Sequence, residues 1–479
     1  MLHNQPEDRL PDVLAERYAS PEMAAIWSAR GKVVLERELW IAVLKAQKEL
    51  GLEVPDDAIA AYERVKDQVD LASIRARERR TKHDVKARIE EFCALAGHEH
   101  IHKGMTSRDL TENVEQLQIL RAGTLLFEKG LAAAAWFAQR AQEYRDVVLP
   151  ARTHNVPAQP TTFGRRLAMY GEELLLALDH LKWWLESYPL RGLKGPIGTQ
   201  LDLLTLLGGD ATKVERLENA VLEFLGFRRT LRAVGQVYPR SLDAAMAGIL
   251  VQLGAAPSSF AKTLRLMAGH ELATEGFAEG QVGSSAMPHK MNPRSCERLN
   301  GLHLVVRGFA NMLEGLAGDQ WNEGDVSCSV VRRVALPGIF LASDGLLETC
   351  LAIVKNFRLF PAVVAGEWRR HAPFLASTTL LMEAVRRGVG REQAHAIIQE
   401  ETQAAVNALR TGQGVSDLVA RLAARPELKL DQKTIESILD QTDRLVGAAQ
   451  RQTDEFVRAV GELLARHPEA QRHQPRDIL

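Results

Sequence analysis

Cysteine is scarce: Cys93, Cys296, Cys328 and Cys350 are the only four in 479 residues, and none forms a Cys-x-x-Cys pair. That excludes a disulfide framework and offers no zinc or dithiol redox signature, so a reducing cytoplasm is the expected setting. Charge of one sign is also lacking. Sixty Lys and Arg against 61 Asp and Glu leave a net charge of -1, no global field to hold nucleic acid or an anionic membrane, so any anion site must be local. No export signal is expected, because MLHNQPEDRLPDVLAERY carries acids and prolines where a basic start and an apolar core belong. The longest uncharged run, between Asp243 and Lys262, is interrupted by Gln252, Pro257, Ser258 and Ser259; it reads as a buried helix, not a bilayer span. Dinucleotide fingerprints, phosphate-binding Gly-Lys-Ser/Thr loops, Gly/Ser linkers and fixed-period repeats are missing too.

What is present is a globular composition, 46% hydrophobic and 25% charged, over a length that suggests about three domains. Residues 56–149 contain no proline, and within them Val114, Leu117, Leu120, Thr124, Phe127, Leu131, Ala134, Ala138 and Ala141 follow a 3-and-4 spacing. That places a mostly apolar seam along one long helix. Proline-free stretches at 294–336 and 374–425 predict further helices, on the rule that proline marks where long helices cannot run. No sustained period-two alternation demands a sheet. The expected architecture is all-α: shorter helices over 1–112, a long-helix bundle over 113–365 and a second short-helix region over 366–479.

Two loops interrupt the bundle. Arg152–Gly164 holds Pro157 and Pro160 and reads as a fixed polar turn. Glu275–Pro293 has Gly276, Gly280 and Gly283 ahead of Ser284 and Ser285, which suits a lid over a ligand. Taken alone, a Ser-Ser pair or His154 in a polar turn is most often solvated surface, and the basic run Arg75–Arg88 is most often a solvated helix face. Near His98, the alternation of Glu99, His100 and His102 does not match helical zinc spacing, so no metal is assigned.

The string GSSAMPHKMNP, Gly283–Pro293, resembles the signature of the fumarase and aspartase superfamily of lyases, in the form carried by the adenylosuccinate lyase family. RYASPEM at 17–23, KHDV at 82–85, GMTSRDLTEN at 104–113, THNVPAQPTTFG at 153–164, KGPIGTQ at 194–200 and GQVYPR at 235–240 resemble that family's blocks, in order, over nearly the whole chain. The resemblance implies a β-elimination releasing fumarate from a succinyl-nitrogen purine-pathway nucleotide, without metal or organic cofactor. Such chemistry needs a base, an acid and cationic support for carboxylate charge.

By the same resemblance Ser284 is the base, its alkoxide supported by Lys290; His154 is the acid, and Glu297 orients it. Lys82, His83, Asp84, His102, Thr106, Ser107 and Thr153 belong to the substrate pocket. Arg17 and Tyr18 resemble the phosphate contact, and Gln236, Asn292, Arg298, Ser329 and Arg333 complete the matched set. One position departs: Gly324 stands where the family carries an arginine that helps bind the nucleotide, and Arg332 is the neighbouring cation placed to compensate. The family's helices pair into a homotetramer with a twenty-helix core and active sites shared between chains, His154 and Ser284 coming from different ones. A sister lyase acting on argininosuccinate and an inactive crystallin-like bundle are the alternatives, separated by whether these residues survive together and by the Arg17–Tyr18 and KHDV blocks.

Overall fold

The structure is a computed structural model and describes residues 12–277, 286–287, 289–412 and 417–468. The N-terminal part is built of α1 (Val13–Arg17), α2 (Pro21–Trp27), α3 (Ala29–Glu49), α4 (Asp56–Val65), α5 (Leu71–Thr81) and α6 (Asp84–Ala96). Short polar caps divide them: Ser20, Ser28 and Asp70 each accept a backbone N–H at the following helix start.

Five long helices form the bundle: α7 (Ser107–Glu143), α8 (Phe163–Ser187), α11 (Ser241–Gly269), α12 (Arg294–Glu314) and α13 (Cys328–Asn356). Between α8 and α11 lie the short α9 (Leu201–Leu206) and α10 (Ala211–Leu225). Helix α7 starts with a capping box, in which Thr106 N–H donates to Asp109 at 2.8 Å, and runs 37 residues. At 1.5 Å per residue that is about 55 Å. The expected seam is its buried face: Val114, Leu117, Phe127, Leu131, Ala134, Ala138 and Ala141 are buried, while Leu120 is partly covered and Thr124 is exposed.

Proline marks some helix starts, such as those of α2 at Pro21 and α12 at Pro293, but does not stop every helix. The proline-free stretch 294–336 breaks between α12 and α13 with no proline at the break, while helix α11 runs through Pro257 and α13 through Pro337. Burial is the reason: most of α13 lies inside the bundle, and that packing outweighs the roughly 3 kcal/mol an interior proline costs. By length and hydropathy alone α11 and α13 could cross a membrane, yet 50% and 89% of their most apolar windows are buried inside the protein.

The polar turn at 152–164 is also more ordered than expected. It belongs to a β-hairpin, β1 (Val148–Thr153) paired antiparallel with β2 (Val156–Thr162), Thr153 opposite Val156. A two-residue turn needs both central residues left-handed, and His154 and Asn155 have φ of 52° and 63°. Pro150, Pro157 and Pro160 are tolerated because each strand of a lone pair has a free edge. A second, minimal pair joins β3 (Ala273–Thr274) to β4 (Arg358–Leu359).

After the bundle come α14 (Pro361–Leu375), α15 (Ser377–Arg386), α16 (Arg391–Arg410), α17 (Leu418–Ala423), α18 (Gln432–Asp440), α19 (Thr442–Leu445) and α20 (Ala449–Ala465). Residues from α15 to α18 share their own small core around Leu380, Ile397, Leu418 and Ile435. Helix α20 instead returns to the bundle, where Phe456 and Val460 join the main core. Its seat is made by Gly171, where a Cβ would meet the Phe456 ring at 2.0 Å.

One end of α7 is held by charge. Asp109 accepts from Arg191 Nη1 at 2.7 Å and from the N–H groups of Lys194 and Gly195 at 2.8 and 3.0 Å. Three residues on, Glu112 takes both amino groups of Arg240, at 2.9 and 3.0 Å, and the Tyr238 N–H at 3.2 Å. Three further on, Glu115 pairs with Arg332 at 2.7 Å and Lys32 at 3.2 Å. Burial works against ionisation of Glu115, but Lys32 and Arg332 outweigh it and hold its carboxyl well below the usual range. Glu112→Ala strands Arg240 in the interior and should cost about 3–5 kcal/mol. Arg108→Ala, which removes a partly exposed partner 3.3 Å from Glu112, should cost about 1 kcal/mol or less. Calorimetric unfolding of both variants checks the contrast.

Candidate active site

The same charged ladder sets where the proposed substrate residues stand. Thr106 and Ser107 sit at the α7 start, both half-buried, with Asp109 directly beneath. Arg191, held by Asp109, also donates to the carbonyls of Gly195 and Gly235 at 2.9 and 3.1 Å, tying the 194–200 loop to Gln236. Arg332 joins the α13 start, with Ser329 and Arg333, to Asp243 at 2.8 Å and to the Tyr238 hydroxyl.

Lys82, His83 and Asp84 occupy the break between α5 and α6. Lys82 is left-handed, with φ of 54°, and His83 caps α6 by accepting the Lys86 N–H at Nδ1, 3.2 Å. Burial opposes ionisation of Asp84, but Arg88, 3.1 Å away, and the Val85 N–H lower its pKa. Arg88 is itself 2.6 Å from the fully buried Glu36. His102 is near this loop; its Nδ1 accepts the Trp40 Nε1–H at 3.0 Å. Burial chiefly, with His83 adding to it, lowers the His102 pKa to about 4.

Five blocks that lie apart in sequence thus converge at the α7 N-terminal end: 82–84, 102–107, the 194–200 loop, 236 and 329–333. The other proposed residues stand away from that end, on separate elements. His154 tops the hairpin that follows α7, exposed like its neighbour Thr153; Arg152 braces the turn by donating to the Asn155 carbonyl at 3.0 Å. Lys290, Asn292, Glu297 and Arg298 lie at the α12 start, where Glu275 accepts the Ser295 and Cys296 N–H groups at 3.0 and 2.9 Å. Glu297 is exposed and 3.8 Å from Arg265. The Arg298 guanidinium stands 5.8 Å from the Tyr18 ring centroid, and the adjacent Arg17 is exposed. Ser284 and Ser285 lie outside the described residues. Within one chain, Thr106 and Ser107 are separated from His154 by the length of α7.

The expectation for Arg332 is overturned. Its guanidinium is buried and consumed by Asp243, Glu115 and Tyr238, so it cannot replace the arginine that position 324 lacks. Gly324 has its own local reason: a Cβ there would lie 2.7 Å from the Gln236 Cβ. The Gln236 N–H donates to the Glu323 carbonyl at 2.6 Å, and Gly235 allows that approach, since its Cβ would be 2.1 Å from the same oxygen. Gln236 therefore fills the room beside position 324. Sequence reasoning also missed the support residues Asp109, Glu112, Arg191 and Arg240; the only local signal was acids three apart in SRDLTENVE.

Residues 16–308 match the family model described as Lyase, and 373–456 match Adenylosuccinate lyase C-terminus. In fold, the chain is similar to a 3-carboxy-cis,cis-muconate lactonizing enzyme from Pseudomonas putida, with a TM-score of 0.81 at 21% identity, covering 94% of this chain and 99% of that one. A fumarate lyase from Mesorhizobium is similar with a TM-score of 0.78 at 19% identity over 94% and 99%. The long-helix bundle is thus that of the lyase superfamily. Within it, adenylosuccinate lyase from Saccharomyces cerevisiae is 33% identical over 94% of both chains, and that from Schistosoma mansoni 31% over 93% of both. The chain belongs to the adenylosuccinate lyase family, whose members are carbon–nitrogen lyases.

For His102, the depressed pKa means that the unfolded chain takes up a proton that the folded one refuses. Its contribution to stability is present above the unfolded value of 6.5 and is lost as pH falls toward 4. A ring titration by NMR should show His102 neutral down to about pH 5. Trp40→Phe, which frees Nδ1 to take a proton, should move that titration upward.

Proposed function

We propose that this chain cleaves adenylosuccinate to AMP and fumarate, and succinylaminoimidazole carboxamide ribotide to the carboxamide ribotide and fumarate. The carrying observation is the match, over nearly the full length of both chains, to relatives named for the first of these substrates. In this reading the Ser284 alkoxide, stabilised by Lys290, removes the proton beside the succinyl carboxylate; the C–H electrons form the fumarate double bond and the C–N bond breaks toward nitrogen. His154, oriented by Glu297, gives the departing nitrogen its proton. The hydroxyls and N–H groups of Thr106 and Ser107 hold a carboxylate, with Lys82, His83, Asp84, His102, Thr153, Gln236, Asn292 and Arg298 around the substrate. Arg17 and Tyr18 take the phosphate, and Ser329 and Arg333 fill the remaining ligand positions. No metal or organic cofactor enters the reaction, and the cytoplasm is its setting.

Self-association is part of the proposal. Met169, Leu176 and Trp183, seven apart on α8, are 45%, 59% and 68% exposed, and Val330 and Val334 on α13 are 69% and 52% exposed. Long helices leaving such stripes bare are supported best by partner helices, here in a homotetramer. Light scattering should give a mass of four chains.

Incubation with adenylosuccinate should release fumarate; cleavage of argininosuccinate instead would move the assignment to a sister lyase, and no turnover of either would favour an inactive bundle. Ser284→Ala and His154→Ala should each lose at least about a hundredfold in kcat. Mixed under conditions that exchange subunits, the two inactive variants should regain activity, about a quarter of sites being whole in a random tetramer. Exchange confirmed by mass spectrometry without recovered activity would place acid and base on one chain.

A further inference from the structure

Under the hairpin, between the start of α8 and the end of α11, lies a cleft of about 280 Å³ that none of the proposed catalytic steps uses. Arg152, Arg165 and Arg166 all line it. Arg152 is neutralised by Glu367. The other two are not: among the described residues neither Arg165 nor Arg166 pairs with a carboxylate. Arg165 donates to the Gln452 amide oxygen at 3.2 Å and to the Met169 sulfur at 3.8 Å. Arg166 donates to the Pro150 carbonyl at 3.0 Å and to the Met267 sulfur at 3.4 Å. Two guanidiniums with ten N–H donors between them therefore have only an amide, a carbonyl and two weak sulfur acceptors.

Their surroundings sharpen the imbalance. Leu266, Met267 and Leu272 form apolar walls, and Thr161 and Thr263 supply hydroxyls. Burial, against the opposing pull of Tyr170 and Glu367, lowers the Arg166 pKa, and Arg152 adds to the lowering. Guanidiniums lining an apolar cleft without a carboxylate of their own call for an anion, and a doubly charged oxyanion suits them because its paired oxygens match the guanidinium fork.

We propose that this cleft is a binding site for a small dianionic oxyanion, a phosphate or a dicarboxylate, held by Arg165 and Arg166. Asn155 lines the same cleft and shares its turn with His154, and Arg152 ties the two together through the Asn155 carbonyl. An anion seated there stiffens the turn from below. Met169 is at once a cleft wall and the first residue of the bare α8 stripe, so a partner chain docking along α8 would roof the site and strengthen the binding by excluding water.

The test is titration calorimetry on the full-length protein, with AMP at saturation to occupy the nucleotide site, using inorganic phosphate in one arm and succinate in the other. The expected result is one ion bound per chain in at least one arm, the arm that binds identifying the source. Arg165→Gln and Arg166→Gln should each weaken that binding at least tenfold, while Arg333→Ala, at the other end of the bundle, leaves it within about twofold. Arg165 is on the outer side of the cleft, so Arg165→Gln decides the matter even if Arg166→Gln fails to fold. No binding in either arm at 10 mM ligand, on the order of the weakest affinity such a site would need, overturns the proposal, as does binding that Arg165→Gln leaves unchanged. Because binding is read directly, this outcome is separate from whether fumarate is released.

Discussion

Three carboxylates spaced three residues apart on the first turns of α7, each facing an arginine from elsewhere in the chain, are the constraint on which the molecule depends. Asp109 meets Arg191, Glu112 meets Arg240 and Glu115 meets Arg332. Side chains three apart on a helix share a face, so the ladder fixes the loops before α9 and α11 and the start of α13 in one register. A buried pair of this kind adds little net stability against an apolar substitute, but losing one partner is costly. Its value lies in specificity: an apolar seam tolerates sliding, whereas a guanidinium facing the wrong carboxylate does not.

With that end fixed, the length of α7 does the rest. The Thr106 and Ser107 hydroxyls at its start and the hairpin after its end are held apart by a helix too long to bend back on itself, while both groups are displayed near solvent. The buried residues of the chain keep the fold in register, and the half-exposed ones beside them are offered to something outside it. Apolar side chains on α8 and α13, among them Trp183 and Val330, are likewise left on the outside.

How far this was legible in the sequence follows from the range of each signal. The α7 seam could be read because helical periodicity is local, and the family blocks because they are contiguous strings. Pro257 and Pro337 misled because their cost is local while the packing that outweighs it is not. The hairpin hid behind Pro150, Pro157 and Pro160, which are poor strand formers except at free edges. The ladder was invisible for a third reason: its partners are 82, 128 and 217 residues apart, and no window of sequence contains both halves of a pair. Arg332 looked like a spare cation beside Arg333 for the same reason.

Helix α20 has a consequence for how the chain is made. Its Phe456 ring sits where Gly171 leaves room, against α7 and α8, which a ribosome completes nearly three hundred residues earlier. Until α20 emerges, that face of the bundle is open and apolar in a nascent chain growing at about 5–20 residues per second. For tens of seconds the protein therefore carries an unsealed core, and α20 is the helix that shuts it.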